Sequence, residues 1–295
     1  MSAALRGAMT ALITPFDDRG TVDEAALAAL VDWQVAEGIH GLVPVGSTGE
    51  AVTLSLPERE RVVRITVEHV AGRIPVIAGA GANDTAVAVA TSLALAKAGA
   101  THLLHVSPMY NKPPQRGILA HFRAIADASP VPIVVYNVPG RTGSNLLAET
   151  TLALAEHPNV CAVKEASGNL AQIDEIIRHR PEGFAVLSGD DGLTLAVVIA
   201  GGDGVISVIS NAVPRACAAL VHSALGGDVA AAREMHRQLA PLVDAAFVES
   251  NPLPIKAALA MMGRARNVLR LPLVPMDPRH DPALRAALTF AGVIL

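Results

Sequence analysis

Two short runs decide the fold: Ile133-Val134-Val135-Tyr136-Asn137 and Val160-Cys161-Ala162-Val163-Lys164. Each is rich in β-branched residues and ends on a polar one, and Ala and Leu at helical spacing fill the stretch between them. An apolar run without polar alternation marks a strand covered on both faces, the parallel strand of an α/β protein. Outward from this pair the unit recurs at Met9–Thr14, Gly41–Val45, Pro75–Ala80 and His102–Ser107, then at Ala185–Ser188 and Gly204–Val208. Eight strands are therefore predicted. Thr21 ahead of Asp23 and Glu24, Ser55 ahead of Leu56-Pro57-Glu58, and Asn83-Asp84 ahead of Thr85 are helix starts; Gly38, Gly72 and Gly99 are stops. At roughly 25 to 30 residues per unit, the pattern fits one (β/α)8 TIM barrel over residues 1–225. Beyond Gly226 only helices are predicted, at Asp228–Val248, Pro254–Met262 and His280–Ala291, so residues 226–295 form a helical C-terminal extension.

Composition narrows the function. The 295 residues are 51% hydrophobic and 17% charged, which suits a large buried core and excludes disorder as the dominant state. Lys and Arg number 23 against 27 Asp and Glu, a net charge of -4 with no basic stripe, so no nucleic-acid partner is expected. Apolar runs such as Leu193–Ala200 are far shorter than the roughly 20 residues that cross a bilayer, so no membrane partner is expected either. The start, Met1–Phe16, lacks the pattern of a secretion signal, and the two cysteines, Cys161 and Cys217, are read as small buried hydrophobes in a reducing compartment. A cytoplasmic location is expected.

In such a barrel the active site lies at the C-terminal ends of the strands. The second strand ends at Gly46-Ser47-Thr48-Gly49-Glu50, the fourth at Pro108-Met109-Tyr110-Asn111, and the fifth at Tyr136-Asn137-Val138-Pro139-Gly140-Arg141. Both tyrosines of the chain, Tyr110 and Tyr136, fall at this one rim. There are only four lysines, against 19 arginines, and Lys164 closes an apolar strand. Period-2 geometry puts Val160, Ala162 and Lys164 on the barrel interior. A lysine there is either paired with a carboxylate or left as a neutral amine. Adjacent Glu165 points to the opposite face and is a poor partner. Desolvation that takes the amine from about 10.4 toward about 7 to 8 removes roughly 4 kcal/mol of charge stabilisation and leaves a nucleophile for a 2-oxo acid. Gly46–Gly49 offers two hydroxyls and backbone N–H groups to a small carboxylate, Glu50 caps or braces that loop, and Arg141 offers a bidentate grip on a second carboxylate. His102 and His105, three apart on a strand, face opposite ways, and Gly79-Ala80-Gly81 lacks the third glycine of a dinucleotide fingerprint. No metal and no cofactor are expected.

The segments Gly46-Ser47-Thr48-Gly49-Glu50, Tyr110-Asn111-Lys112-Pro113, Tyr136-Asn137-Val138-Pro139-Gly140-Arg141-Thr142, Val163-Lys164-Glu165-Ala166 and Ser188-Gly189-Asp190-Asp191 together resemble the dihydrodipicolinate synthase and N-acetylneuraminate lyase family of class I aldolases. The likeness covers essentially the whole chain. It implies a lyase in which Lys164 forms a Schiff base with pyruvate and Tyr136, Ser47 and Tyr110 make a proton relay, Tyr110 reaching into a neighbouring subunit's site. It also implies that Thr48, with Ser47, binds the pyruvate carboxylate, that Arg141 binds the carboxylate of L-aspartate-4-semialdehyde, that Gly189 and Ile206 line the pocket, and that the enzyme is a homotetramer, a dimer of dimers. The implied reaction is an aldol-type condensation followed by cyclisation, in lysine and diaminopimelate biosynthesis. Ser47 stands where synthases usually have Thr and neuraminate lyases Ser, so that loop favours neither subgroup cleanly, whereas Arg141 fits the synthases. The rival readings are another pyruvate-dependent aldolase of the family, acting on a sugar acid or 4-hydroxy-2-oxoglutarate, and a non-catalytic binding barrel.

Met109 stands where synthases commonly have Tyr, and Leu56, Arg59 and Val87 stand where lysine-regulated relatives carry two histidines and an acidic residue; Asn83 is retained. Steady-state assays with added L-lysine are therefore expected to show weak or no inhibition, and half-inhibition at submillimolar lysine would refute this.

Overall fold

The computed structural model describes residues 5–295, so the first four positions of the predicted barrel lie outside it. Eight strands follow one another as expected: β1 (Gly7–Ala11), β2 (Gly41–Val43), β3 (Ile77–Gly79), β4 (His102–Val106), β5 (Ile133–Asn137), β6 (Val160–Glu165), β7 (Ala185–Ser188) and β8 (Gly204–Ser207). Every pairing is parallel, in the order β2-β1-β8-β7-β6-β5-β4-β3. The ends meet through a single bridge, Leu42 with Val76, backed by Leu42 N donating to Pro75 O at 3.0 Å and Gly79 N to Pro44 O at 3.0 Å. The result is a nearly closed TIM barrel.

Predicted strand ends shift by a few residues where side chains take over the backbone bonds. The first strand stops at Ala11, short of the expected Thr14, because Ile13 N donates to the Asn211 side chain at 3.1 Å and not to a neighbouring strand. Helix starts follow the expected chemistry: Ser55 and Glu58 form a capping box, and Asp84 accepts from Val87 N at 2.8 Å. Ahead of the first helix the cap is Asp23, accepting from Ala26 N at 3.0 Å. Gly38, Gly72 and Gly99 follow their helices in left-handed conformations that other residues resist.

Alternation along the strands splits the core in two. Met9, Ile77, Leu104, Val134, Ala162 and Leu187 fill the cylinder, while Val135, Val163 and Val186 face the surrounding helices. The interior placement of Val160 is corrected. A register shift between Ile133 and Val134 pairs them with Val160 and Ala162, so one residue bulges and Val160 packs with the outer core. Cys161 is that extra residue, and it is half-buried, not buried as expected; Cys217 is buried. Desolvation pushes the Cys161 thiol up to about 12, which keeps it unreactive.

The C-terminal helices, Val229–Ala246, Leu253–Met261 and Asp281–Phe290, pack Leu239, Leu242, Ile255 and Leu259 into the same buried cluster as the barrel's outer face. We propose that residues 226–295 are an extension of the barrel, with no separate core. Its deepest anchor is ionic. The Lys256 ammonium, wholly buried, meets the Glu50 carboxylate, donates to Val268 O at 2.8 Å and lies 4.1 Å over the Phe16 ring. The other Glu50 oxygen accepts from Arg270 N at 3.1 Å. Glu50 thus braces the loop after β2, as expected, and does so against the tail. Lys256→Met leaves that carboxylate buried without its partner and is expected to cost about 3–5 kcal/mol in urea unfolding, most of it recovered in Lys256→Met/Glu50→Gln.

Candidate active site

Lys164 and Tyr136 are register partners on adjacent strands, and both point into the cylinder. The Lys164 Nζ lies 4.2 Å from the Tyr136 ring centre, and the two residues are only 6% and 7% exposed. Burial pulls the Lys164 amine down to about 8; the Asp191 carboxylate opposes this and the Arg141 cation adds to it. Burial also lifts the Tyr136 phenol to about 12, so it rests protonated. The carboxylate next to the lysine is committed elsewhere. Glu165 faces outward, where it accepts from Asn137 at 3.1 and 3.0 Å, from Ser167 N at 2.7 Å and from Gln172 at 3.2 Å. The ion-pair reading of Lys164 with Glu165 is therefore excluded.

Room for this lysine comes from Gly189 at the end of β7. A Cβ at that position would meet Ala166 Cβ at 2.7 Å and Lys164 Cε at 3.0 Å. The next residues form a tight turn in which Asp190 accepts from Gly192 N at 2.9 Å. Asp191 is buried, and its carboxylate accepts from Val208 N at 2.9 Å, which ties the end of β7 to the end of β8.

Above the lysine opens a cavity of about 570 Å³ at the C-terminal ends of the strands. Ser47, Thr48, Tyr136, Arg141, Lys164 and Gly189 all line it. Thr48 is buried and its hydroxyl accepts from Asn251 Nδ2 at 2.8 Å, whereas Ser47 is exposed at the edge. Arg141 stands in the short helix Pro139–Thr142, itself exposed, with Nη2 donating to Asn251 O at 3.2 Å. The bond to a backbone carbonyl leaves most of its guanidinium donors for a carboxylate.

Two expected site residues are not brought to this cavity. Tyr110 is 90% exposed on the loop after β4 and does not line the chain's own cavity. Ile206 is fully buried in the interior cluster, paired with Met9 of β1, and Val208, two residues further on, lines the cavity in its place. A mid-strand residue fills the barrel; only residues past the strand end reach its mouth. Sequence reasoning in turn missed Asn251 and placed Arg59 only among the positions of lysine regulation; both also line the cavity. The only signal for Asn251 was a polar residue opening the apolar segment Asn251-Pro252-Leu253-Pro254-Ile255.

An amine titrating at about 8 is neutral in roughly one molecule in ten at pH 7 and roughly nine in ten at pH 9. The neutral form is the nucleophile, so the rate at which Lys164 captures a 2-oxo acid is expected to rise with pH through this window and then level. Stopped-flow or quenched borohydride trapping across pH 6–10 checks it.

A family model, the dihydrodipicolinate synthetase family, matches residues 4–291. A 4-hydroxy-tetrahydrodipicolinate synthase of Koribacter versatilis is 50% identical over 98% of this chain and 97% of its own; one from Nitratidesulfovibrio vulgaris is 49% identical over 98% and 99%. Among solved structures, a chloride-inhibited dihydrodipicolinate synthase from Acinetobacter baumannii complexed with pyruvate superposes with a TM-score of 0.97. It is 40% identical to this chain and covers 99% of it and 100% of its own length. A barrel with an enclosed lysine, matched end to end by these proteins, places the chain in the dihydrodipicolinate synthetase family.

Proposed function

We propose that this chain is a lyase of the class I aldolase type that condenses pyruvate with L-aspartate-4-semialdehyde, the reaction for which its curated relatives are named. The observation that carries the reading is the enclosed Lys164 amine, lowered to about 8 and in contact with the face of a protonated phenol. Neutral Nζ attacks C2 of pyruvate. The carbinolamine oxygen takes a proton from Tyr136, and water leaves to give an iminium. The Tyr136 phenolate takes a C3 proton to give the enamine, whose carbon attacks the aldehyde while the re-formed phenol protonates the new alkoxide, and the phenolate then takes the surplus proton of the substrate's ammonium. The substrate's own amine then attacks the iminium carbon, closing the ring and releasing Lys164.

The rim supplies two anion sites to match two carboxylates. Thr48 sits on the loop after β2 and Arg141 in the short helix after β5, and both line the same cavity as Lys164. Arg141 favours the semialdehyde over acceptors that lack a carboxylate at that distance. Tyr110, fully outside its own cavity, supports an assembly in which a second copy receives it, next to exposed Ser47. On this reading a dimer is the minimum active unit and a homotetramer its extension. No helix among the described residues is long and apolar enough to cross a membrane, in keeping with a cytoplasmic biosynthetic enzyme.

Borohydride reduction with pyruvate is expected to add the mass of a reduced pyruvate adduct to Lys164, and Lys164→Ala to abolish both the adduct and turnover of pyruvate with L-aspartate-4-semialdehyde in an assay coupled to the downstream reductase. No adduct on the wild-type chain would overturn the mechanism. An adduct without turnover would assign the site to a different aldehyde.

A further inference from the structure

The C-terminal extension enters the cavity at one buried side chain. Asn251 is 7% exposed, lines the cavity, and touches both groups assigned to the two carboxylates: its Nδ2 donates to Thr48 Oγ1 at 2.8 Å, and its backbone carbonyl accepts from Arg141 Nη2 at 3.2 Å. Its Oδ1 is buried without a partner. A buried acceptor left unpaired is costly and uncommon, so the amide is held in place by its donor side. A threonine hydroxyl has one proton. Where the oxygen accepts from an amide, that proton is left free to point elsewhere, and for Thr48 the free direction includes the cavity. Five residues along, the Lys256 ammonium holds Glu50, two residues beyond Thr48, so the tail grips the loop at both places.

We propose that Asn251 is a positioning residue that fixes the Thr48 hydroxyl as a donor toward the carboxylate of the bound 2-oxo acid, making the C-terminal extension part of the pyruvate site. This rests on the function proposed above and adds a role for a residue outside the barrel. An asparagine suits the task because it both donates to the hydroxyl and carries no charge beside two anion sites. An aspartate of the same shape would offer only acceptors, drawing the Thr48 proton toward itself and adding a negative charge where carboxylates must bind.

The test is a double-variant cycle on the full-length enzyme, with Thr48→Val, Asn251→Ala and the pair, read as KM for pyruvate and kcat separately, with melting temperature as the check on folding. Thr48→Val is expected to raise KM for pyruvate about tenfold and Asn251→Ala about three- to tenfold, with kcat little changed; in the pair Asn251→Ala adds nothing further. Asn251→Asp, which keeps the side-chain size, is expected to raise KM for pyruvate more than Asn251→Ala does. Additive effects in the pair, or wild-type KM in Asn251→Asp, would overturn the positioning role. Absence of a pyruvate adduct in the wild-type chain is the separate result that removes the underlying function, and this inference with it.

Discussion

An ammonium group cannot be held cheaply inside a cylinder of apolar side chains, and the site is organised around that constraint. Lys164 projects into a space walled by Ala162, Leu187 and Tyr136, with its nitrogen against a phenol ring and its nearest sequence neighbour, Glu165, turned outward. Desolvation is the largest influence on the amine, and Asp191 offsets only part of it. The consequence is an amine that titrates at about 8, low enough for its neutral, nucleophilic form to be populated near neutral pH.

Much of the surrounding structure maintains the enclosure. The register of β5 with β6 sets Tyr136 beside Lys164, Gly189 leaves the lysine its volume, and buried Asp191 draws the β7 and β8 ends together through Val208 N. On the far side of the cavity the loop after β2 is steadied from below by Glu50, which is neutralised by a lysine from the tail. A buried ion pair adds little to stability compared with apolar packing, yet it specifies where each partner must sit. Here it joins a loop that lines the cavity to a segment some two hundred residues later in the chain.

In this chain the C-terminal helical stretch does more than cover the barrel, since it bonds to the cavity rim. Asn251 and Lys256 stand within one short stretch and reach the same loop, one through a hydroxyl and the other through a carboxylate. Arg141 joins the same stretch through a backbone carbonyl. The two sides of the cavity rim are thus linked by the tail, while Tyr110 stands exposed on the loop after β4.

The alternation of apolar runs and helical spacing was enough to establish eight parallel strands, because strands buried on both faces have no polar residues to blur the pattern. It also placed Lys164, Tyr136, Thr48 and Arg141 at one rim, since strand ends of a barrel converge. Local rules failed where a partner distant in the chain intervened. Asn211 took the backbone bond that ended β1, and a one-residue bulge at Cys161 turned Val160 outward. Asn251 shows in the sequence only as a polar residue opening an apolar segment, because what ties it to the cavity is a hydrogen bond to a residue 203 positions away. Which residues lie inside a strand is a matter of period, legible in one dimension; which side chains meet across the cavity is decided only when the chain has closed on itself.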